Sequence, residues 1–148
     1  NPLWRHQAAG VEALAVFEGP QHYVSPGWYP AKREHGKVVP TWNYVVAELR
    51  GPLTAIEDRA WLRALLDAQV DQAETRVGAH WRVADAPDDY IERLLGAIVG
   101  IEIAVTARVG KWKLSQNHPV ANRDGVVEGL ASLDDPAAAA LAAAMRAG

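Results

Sequence analysis

The chain contains no cysteine among its 148 residues. This absence excludes disulfide bonds and thiolate metal sites, and it is typical of a cytoplasmic protein. No apolar run approaches the roughly 18 residues that a membrane-spanning helix needs, and no signal-peptide pattern opens the chain. The sequence therefore predicts a cytoplasmic protein with no membrane partner.

Common catalytic signatures are also missing. The sequence has no G-x-S-x-G, no G-x-G-x-x-G and no P-loop. Its five histidines show no H-x-x-x-H spacing, so no metal site is predicted. The net charge is −3, and no helix-turn-helix with a basic recognition helix is recognisable. The sequence thus identifies no catalytic residue, and it leaves open whether the protein is an enzyme.

Lysine is scarce in this chain. Lysine and arginine together number 15, and the only lysines are Lys32, Lys37, Lys111 and Lys113. All of them lie in two polar and aromatic segments, "AKREHGKVVPTWNY" and "GKWKLSQN". One interpretation is that these lysines protect an exposed edge strand from aggregation. The other is that they face an anionic ligand.

The segment "GKWKLSQN" (110–117) alternates in a way that is typical of a strand. One face would carry Lys111, Lys113, Ser115 and Asn117, and the other Trp112, Leu114 and Gln116. In "VVPTWNYVV", the same alternation places Thr41 and Asn43 on one face and Trp42 and Tyr44 on the other. Cations and hydroxyl groups suit a phosphate, whereas aromatic rings and amides suit a planar heteroaromatic ring. Flavin mononucleotide (FMN) combines both features. The alternative is that Trp42, Tyr44 and Trp112 are core or dimer-interface residues.

The first part of the chain predicts strands. Residues 13–19 and 21–26 are β-prone runs that a turn at Gly19-Pro20 would separate. A loop over 27–37 precedes the longest strand candidate, 38–49. Gly51-Pro52 is expected to end that strand, and residues 53–56 to form a short partner strand.

Helical spacing follows, starting at Trp61 with Asp58 or Thr54 as the cap. A second amphipathic helix after Asp85 has an apolar face made of Tyr90, Ile91, Leu94, Leu95 and Ile98. Strand character returns over 99–110, and the tail reads as two helices with a break at 134–136. The last helix is rich in alanine and is expected to fray. This order of elements predicts an α+β fold.

Four segments in this order resemble the PaiB family, described as FMN-binding negative transcriptional regulators: "GPQHYVSPGWYP", "HGKVVPTWNY", "DYIERLLGAIVGIEI" and "GKWKLSQN". The family is similar to the FMN-binding split barrels, in which an antiparallel barrel dimerises and flavin lies at the subunit interface. The resemblance implies an antiparallel split β-barrel with flanking helices over 1–133 and a separate alanine-rich helix over 134–148. It also implies a homodimer with FMN as the cofactor.

Members of that family usually carry a further N-terminal stretch before the "NPLW" segment, and this stretch contains the first barrel strands. The chain starts at Asn1 and not at a methionine. The resemblance therefore implies a domain that lacks its first N-terminal strands.

The resemblance and the residue chemistry together predict the flavin site. Lys111, Lys113 and Ser115 are expected near the phosphate, with Lys37 as a second candidate. The ring would be bordered by Trp28, Tyr29 and Trp42, with Trp112 in the same group. Hydrogen bonds to the ring are expected from Thr41, Asn43, Gln116 and Asn117.

Three functions compete at this point. The resemblance implies a transcriptional regulator, although an acidic chain is expected to bind DNA weakly. The second is a flavin-dependent oxidoreductase, in which the cofactor supplies the chemistry. The third is a dimer that binds another planar ligand such as haem, with His22, His35 or His118 as an axial ligand.

Overall fold

A computed structural model describes Trp4 and residues 10–147. In chain order, the elements are β1 (Glu12–Val24), α1 (Ala31–Glu34), β2 (Thr41–Ile56), α2 (Arg59–Val77), α3 (Asp88–Leu95), β3 (Gly100–Ile103), β4 (Ala107–Lys113), α4 (Val120–Ala131) and α5 (Pro136–Ala147). Short 3-10 turns cover Pro26–Trp28 and Val83–Asp85. The predicted α+β class is confirmed.

The chain forms two compact units. The first contains residues 10–13 and Arg50–Thr106, and the second contains Leu14–Leu49 and the chain from Ala107 onwards. Each unit has its own cluster of buried apolar side chains. The predicted site residues all belong to the second unit.

The antiparallel sheet has four strands and is organised around β2, which pairs with β1, β3 and β4. In the β2–β3 ladder, Leu53 lies opposite Ile103 and Ile56 lies opposite Gly100. The long β2 strand explains how one chain segment can take part in both units.

The prediction that Gly51-Pro52 ends the strand is wrong, because β2 continues through both residues to Ile56. A side chain at Gly51 would collide with the carbonyl oxygen of Ala104, so glycine permits this close approach. Pro52 has no N–H to donate, but its carbonyl accepts a hydrogen bond from the Ala104 N–H at 3.1 Å. Residues 53–56 are therefore the end of β2 and not a separate strand.

The turn predicted at Gly19-Pro20 is absent for a similar reason, and β1 is continuous from Glu12 to Val24. A Cβ atom at Gly19 would lie 3.1 Å from the Cβ of Val45. The glycine therefore allows β1 to pass close to β2 and does not mark a reversal of the chain.

The helices α2 and α3 start where the sequence indicates. The Asp58 carboxylate accepts a hydrogen bond from the Trp61 N–H at 2.7 Å, which confirms the predicted cap of α2. In α3, Ile91 and Leu95 are buried, whereas Leu94 is 45% exposed, so the buried face is narrower than predicted. Within residues 10–147, no helix combines the length and the apolar character needed to span a bilayer.

The core of the second unit forms where α4 and α5 pack together. It comprises Val24, Tyr29, Leu114, Val126, Leu130, Ala138, Leu141, Ala142 and Met145. The expectation that the alanine-rich helix frays is wrong, because α5 buries four of these residues. Small alanine side chains let two helices approach closely, so Leu141 and Met145 are enough to fill the space between them.

Candidate functional site

Strand β4 ends at Lys113, which is earlier than the alternation predicts. Gln116 closes the following turn, because its side chain accepts a hydrogen bond from the Leu114 N–H at 2.9 Å and donates one to the Trp112 carbonyl at 2.7 Å. Ser115 and Asn117 therefore do not continue the strand face that carries Lys111. The predicted four-residue polar face is wrong beyond Lys113.

Lys111 and Lys113 converge on the first residues of β2. The Lys113 Nζ donates a hydrogen bond to the Thr41 hydroxyl at 2.8 Å. The Nζ atoms of Lys111 and Lys113 lie 5.5 Å and 5.9 Å from the centroid of the Tyr44 ring. Both distances are within the range of a cation–π contact. We call Thr41, Tyr44, Lys111 and Lys113 the lysine face.

Tyr44 interacts with Lys111 electrostatically as well as through its ring. Its side-chain hydrogen bond and electrostatic attraction raise the pKa of Lys111, and Glu48 adds a smaller contribution in the same direction. Tyr44 was not among the predicted site residues, and only the pairing of β2 with β4 brings it beneath the lysines.

Two other predicted residues meet inside the protein. Asn43 is 0% exposed, and its side-chain N–H donates to the Ser115 hydroxyl at 2.9 Å. Ser115 itself has a φ angle of 62°, in the left-handed region that non-glycine residues seldom occupy. The side-chain oxygen of Asn43 and the hydroxyl of Tyr29 are buried, and neither makes a hydrogen bond within the described part of the chain. The buried hydrogen bond between Asn43 and Ser115 therefore holds the turn after β4 in place.

The predicted tryptophans occupy two kinds of environment. Trp42 and Trp112 are 49% and 57% exposed, and the Trp42 indole N–H donates to the Gln21 side chain at 3.1 Å. The Trp112 ring lies across Gly110, where a side chain would collide with it. Trp28 is different, because its ring packs against Gly129 of α4 next to the core. Two indoles thus remain open to a planar ligand.

A cleft of about 450 Å³ opens beside the lysine face in the same unit. Its lining includes three predicted residues, Tyr29, Lys37 and Thr41. Tyr29 stacks on His118 with ring centroids 5.1 Å apart and planes 3° from parallel. Thr41 belongs to both places, since it lines the cleft and accepts the hydrogen bond from Lys113.

Comparison with known proteins shows the family of the chain. Residues 1–107 match the model of a family described as "Putative FMN-binding domain". The chain belongs to this family. The match covers Thr41 and Tyr44 but ends before Lys111.

Curated relatives agree with this assignment. The protease synthase and sporulation protein PAI 2 of Bacillus subtilis is 30% identical over 152 aligned positions, which cover 98% of this chain and 67% of that protein. Uncharacterized proteins of Emericella nidulans and Aspergillus fumigatus are each 37% identical, over 91% and 82% of this chain. The chain spans only 58% and 53% of the lengths of these two fungal relatives. The predicted resemblance to the PaiB family is confirmed.

The three histidines named as axial ligands have different surroundings. The two ring nitrogens of His22 lie 2.6 Å from the Tyr23 carbonyl oxygen and 3.3 Å from a carboxylate oxygen of Asp135. His35 accepts a hydrogen bond from the Lys37 N–H at 3.0 Å. His118 is held by its stack on Tyr29. Neither ring nitrogen of His22 is open to a metal in this arrangement, which leaves His35 and His118 for the haem alternative.

Proposed function

We propose that this protein binds FMN and holds the flavin phosphate on the lysine face. The observation that carries the proposal is the convergence of Lys111 and Lys113 on Tyr44, with the Thr41 hydroxyl 2.8 Å from Lys113. Two ammonium groups and a neighbouring hydroxyl are a suitable donor set for a phosphate dianion. Membership of the FMN-binding domain family supports the same ligand.

The surrounding residues fit the rest of the cofactor. The half-exposed indole of Trp42 offers flat apolar area to the flavin ring, whereas Trp112 lies on the opposite face of β4 from Lys111 and Lys113. Asn117 is exposed and can donate to the ring or the ribityl chain. Ser115, Asn43 and Gln116 act indirectly in this proposal, because their own hydrogen bonds fix the end of β4. A bound FMN would supply redox chemistry, and the chain would bind and orient it.

The experiment compares FMN with riboflavin, which lacks the phosphate. Lys111→Gln and Lys113→Gln each remove one charge, and Lys32→Gln is the matched control on α1, outside the lysine face. We expect each test variant to weaken FMN binding by roughly ten-fold to a hundred-fold, since a charge-assisted hydrogen bond is worth about 1.5–3 kcal/mol. Riboflavin binding should change much less, and the control should change neither.

Two results would contradict the proposal. Equal losses for FMN and riboflavin would mean that the substitutions damage the fold. No loss for either ligand would mean that the lysines only protect an exposed strand edge from aggregation. Fluorescence titration of the flavin in the presence of each variant measures both affinities.

We further propose that the protein works as a split-barrel homodimer. Support comes from large apolar side chains that β1 and β4 leave exposed in the second unit: Leu14, Val16, Phe17, Val109 and Trp112. Exposed apolar surface of this kind is typical of an association surface. A dimer would also cover part of the exposed indole surface at which the ring is proposed to lie.

The biological role that we propose is a regulatory one in the cytoplasm, in line with the family resemblance. The name of the Bacillus subtilis relative connects that protein with protease synthesis and sporulation. The net charge of −3 offers few phosphate contacts, so direct DNA binding by this chain should be weak and salt-sensitive. A flavin-dependent oxidoreductase remains the alternative, and oxidation of a reduced nicotinamide by the FMN-loaded protein would favour it.

A further inference from the structure

The cleft beside the lysine face has features of a separate ligand site. Its volume of about 450 Å³ is within the range of small-molecule sites. Apolar side chains form much of the wall, and the polar side chains among them are Tyr29, Glu34, His35, Lys37, Thr41, His118 and Asn122. Lys37 is the one ammonium group and Glu34 the one carboxylate in this lining.

Asn122 presents a side-chain donor of fixed orientation to this cleft. Its side chain belongs to a residue that is only 6% exposed, and the side-chain oxygen accepts a hydrogen bond from the Ala31 N–H at 3.3 Å. That bond fixes the orientation of the amide group, so the NH₂ is the part left for another partner. The NH₂ donates to no residue in the described part of the chain. The buried polar side-chain atoms without a partner in the described chain are Tyr29 Oη, Asn43 Oδ1 and Arg63 Nε, so the Asn122 NH₂ keeps contact with solvent, and a ligand oxygen can replace that water.

The first turn of α4 adds a backbone donor. No side chain caps this helix at Pro119, and Pro119, Ala121 and Asn122 all line the cleft. Pro119 has no N–H, and the Asn122 N–H already donates to the Pro119 carbonyl at 2.9 Å, so Ala121 supplies the remaining backbone N–H of this lining, at the positive end of the helix. The Lys37 ammonium group lies in the same lining. Amide, backbone and ammonium donors thus meet in one cleft.

We propose that this cleft binds a small organic anion, with its carboxylate or phosphate held by Asn122, Lys37 and the first turn of α4. The apolar part of the ligand would lie against Val38, Pro40 and the other apolar residues of the wall. Thr41 connects the cleft to the lysine face, so the anion would bind next to the proposed flavin. The inference does not depend on flavin binding, because none of these cleft donors belongs to the lysine face.

Amide NMR of the flavin-free protein tests this site with three probes of similar size. Benzoate and phenyl phosphate carry the two anionic groups, and benzyl alcohol is the neutral control. We expect one or both anions to shift the side-chain NH₂ signal of Asn122 and the backbone amides of Val120 and Ala121. Benzyl alcohol should shift them much less. The probe that binds more tightly identifies whether the natural ligand is a carboxylate or a phosphate.

A pair of lysine variants completes the test. Lys37→Gln should weaken binding of the anion by roughly three- to ten-fold, since one exposed charge is removed. Lys32→Gln, which lies on α1 but does not line the cleft, should leave it unchanged. The inference would be overturned by the absence of shifts with either anion. It would also be overturned by shifts centred on Lys111 and Lys113, or by equal effects of the two variants.

Discussion

Ser115 shows how one residue can hold the candidate site in place. It is 7% exposed, has a φ angle of 62°, and accepts a hydrogen bond from the buried Asn43 side chain. A serine in the left-handed region costs roughly 1–2 kcal/mol relative to a right-handed conformation. The hydrogen bond from Asn43 offsets part of this cost. Backbone strain that is kept next to the lysine face agrees with a functional role for the turn.

Replacing Ser115 should therefore destabilise the protein, and by an amount that depends on whether alanine or glycine takes its place. We expect Ser115→Ala to lower the free energy of unfolding by about 1–3 kcal/mol, because Asn43 then keeps a buried donor with only a distant sulfur partner. Ser115→Gly should cost less, since glycine removes the strain. Urea denaturation measures both, with Ser132→Ala as the control, since this exposed serine loses only a hydrogen bond to the Gly129 carbonyl and leaves no buried donor. A change of less than about 0.5 kcal/mol for Ser115→Ala would contradict this account.

The raised pKa of Tyr29 predicts that the stability of the protein depends on pH in the alkaline range. Burial raises the pKa of Tyr29 above its ordinary value of 10.0, and the nearby Ser115 side chain lowers it by less. The folded protein thus holds this proton more tightly than the unfolded chain does. The resulting stability is complete below pH 10 and decreases as the pH rises through the folded-state pKa. Tyr29→Phe should remove this part of the alkaline loss in urea titrations at increasing pH. An unchanged alkaline slope would argue against it.

Single residues were predictable from the sequence where their chemistry acts locally. The sequence offers Asp58 or Thr54 as the cap of α2, and Asp58 is the one whose carboxylate accepts a hydrogen bond from the Trp61 N–H. Tyr44 was missed as a site residue, because its contact with Lys111 crosses between two strands that are far apart in sequence. The left-handed conformation of Ser115 also depends on distant contacts, so no local signal indicates it.

Helix α5 shows that packing, and not composition alone, decides whether a helix is ordered. Its sequence is rich in alanine and offers little apolar bulk, but Leu141 is 0% exposed and Met145 is 2% exposed. A low content of large side chains predicts fraying only if nothing packs against the helix. Here Val126 and Leu130 of α4 belong to the same core cluster. Tertiary packing therefore decides the state of this helix.

A leucine substitution in α5 tests that conclusion. Leu141→Ala should reduce the free energy of unfolding by about 2–5 kcal/mol, which is the usual cost of a cavity in a core. Leu133→Ala is the control, because this side chain is 38% exposed and lies between the two helices. We expect the control to cost well under half as much in the same urea experiment. Similar small losses for both variants would mean that α5 is frayed in solution.

For the strands too, local sequence predicts the β-structure, but it does not predict the contacts between strands that are distant in sequence. The strand character predicted for residues 13–19, 21–26 and 38–49 agrees with β1 and β2, but the breaks predicted at both Gly-Pro pairs are wrong. Gly-Pro is a turn signal when only neighbouring residues are considered. In this protein, Gly19 and Gly51 make room for Val45 and for the Ala104 carbonyl. Such close contacts between strands cannot be inferred from the local sequence.

At the scale of the whole molecule, exposed apolar side chains predict self-association. Phe17 and Trp112 are 56% and 57% exposed on strands of the second unit. We expect a C₂ dimer, because most soluble homo-oligomers of this size are symmetric dimers. Sedimentation velocity at micromolar concentrations should show twice the monomer mass of 16.0 kDa. Phe17→Ser should shift the equilibrium towards monomer, whereas a purely monomeric unmodified protein would contradict the proposed dimer.

The central claim is that the lysine face recognises the phosphate of FMN, and one comparison tests it most directly. Titration of the unmodified protein with FMN and with riboflavin, followed by flavin fluorescence at low ionic strength, gives two dissociation constants. We expect FMN to bind at least about ten-fold more tightly than riboflavin, because only FMN carries the charged phosphate. Added salt should reduce that preference. Equal affinities for the two flavins, or no binding of either, would contradict it.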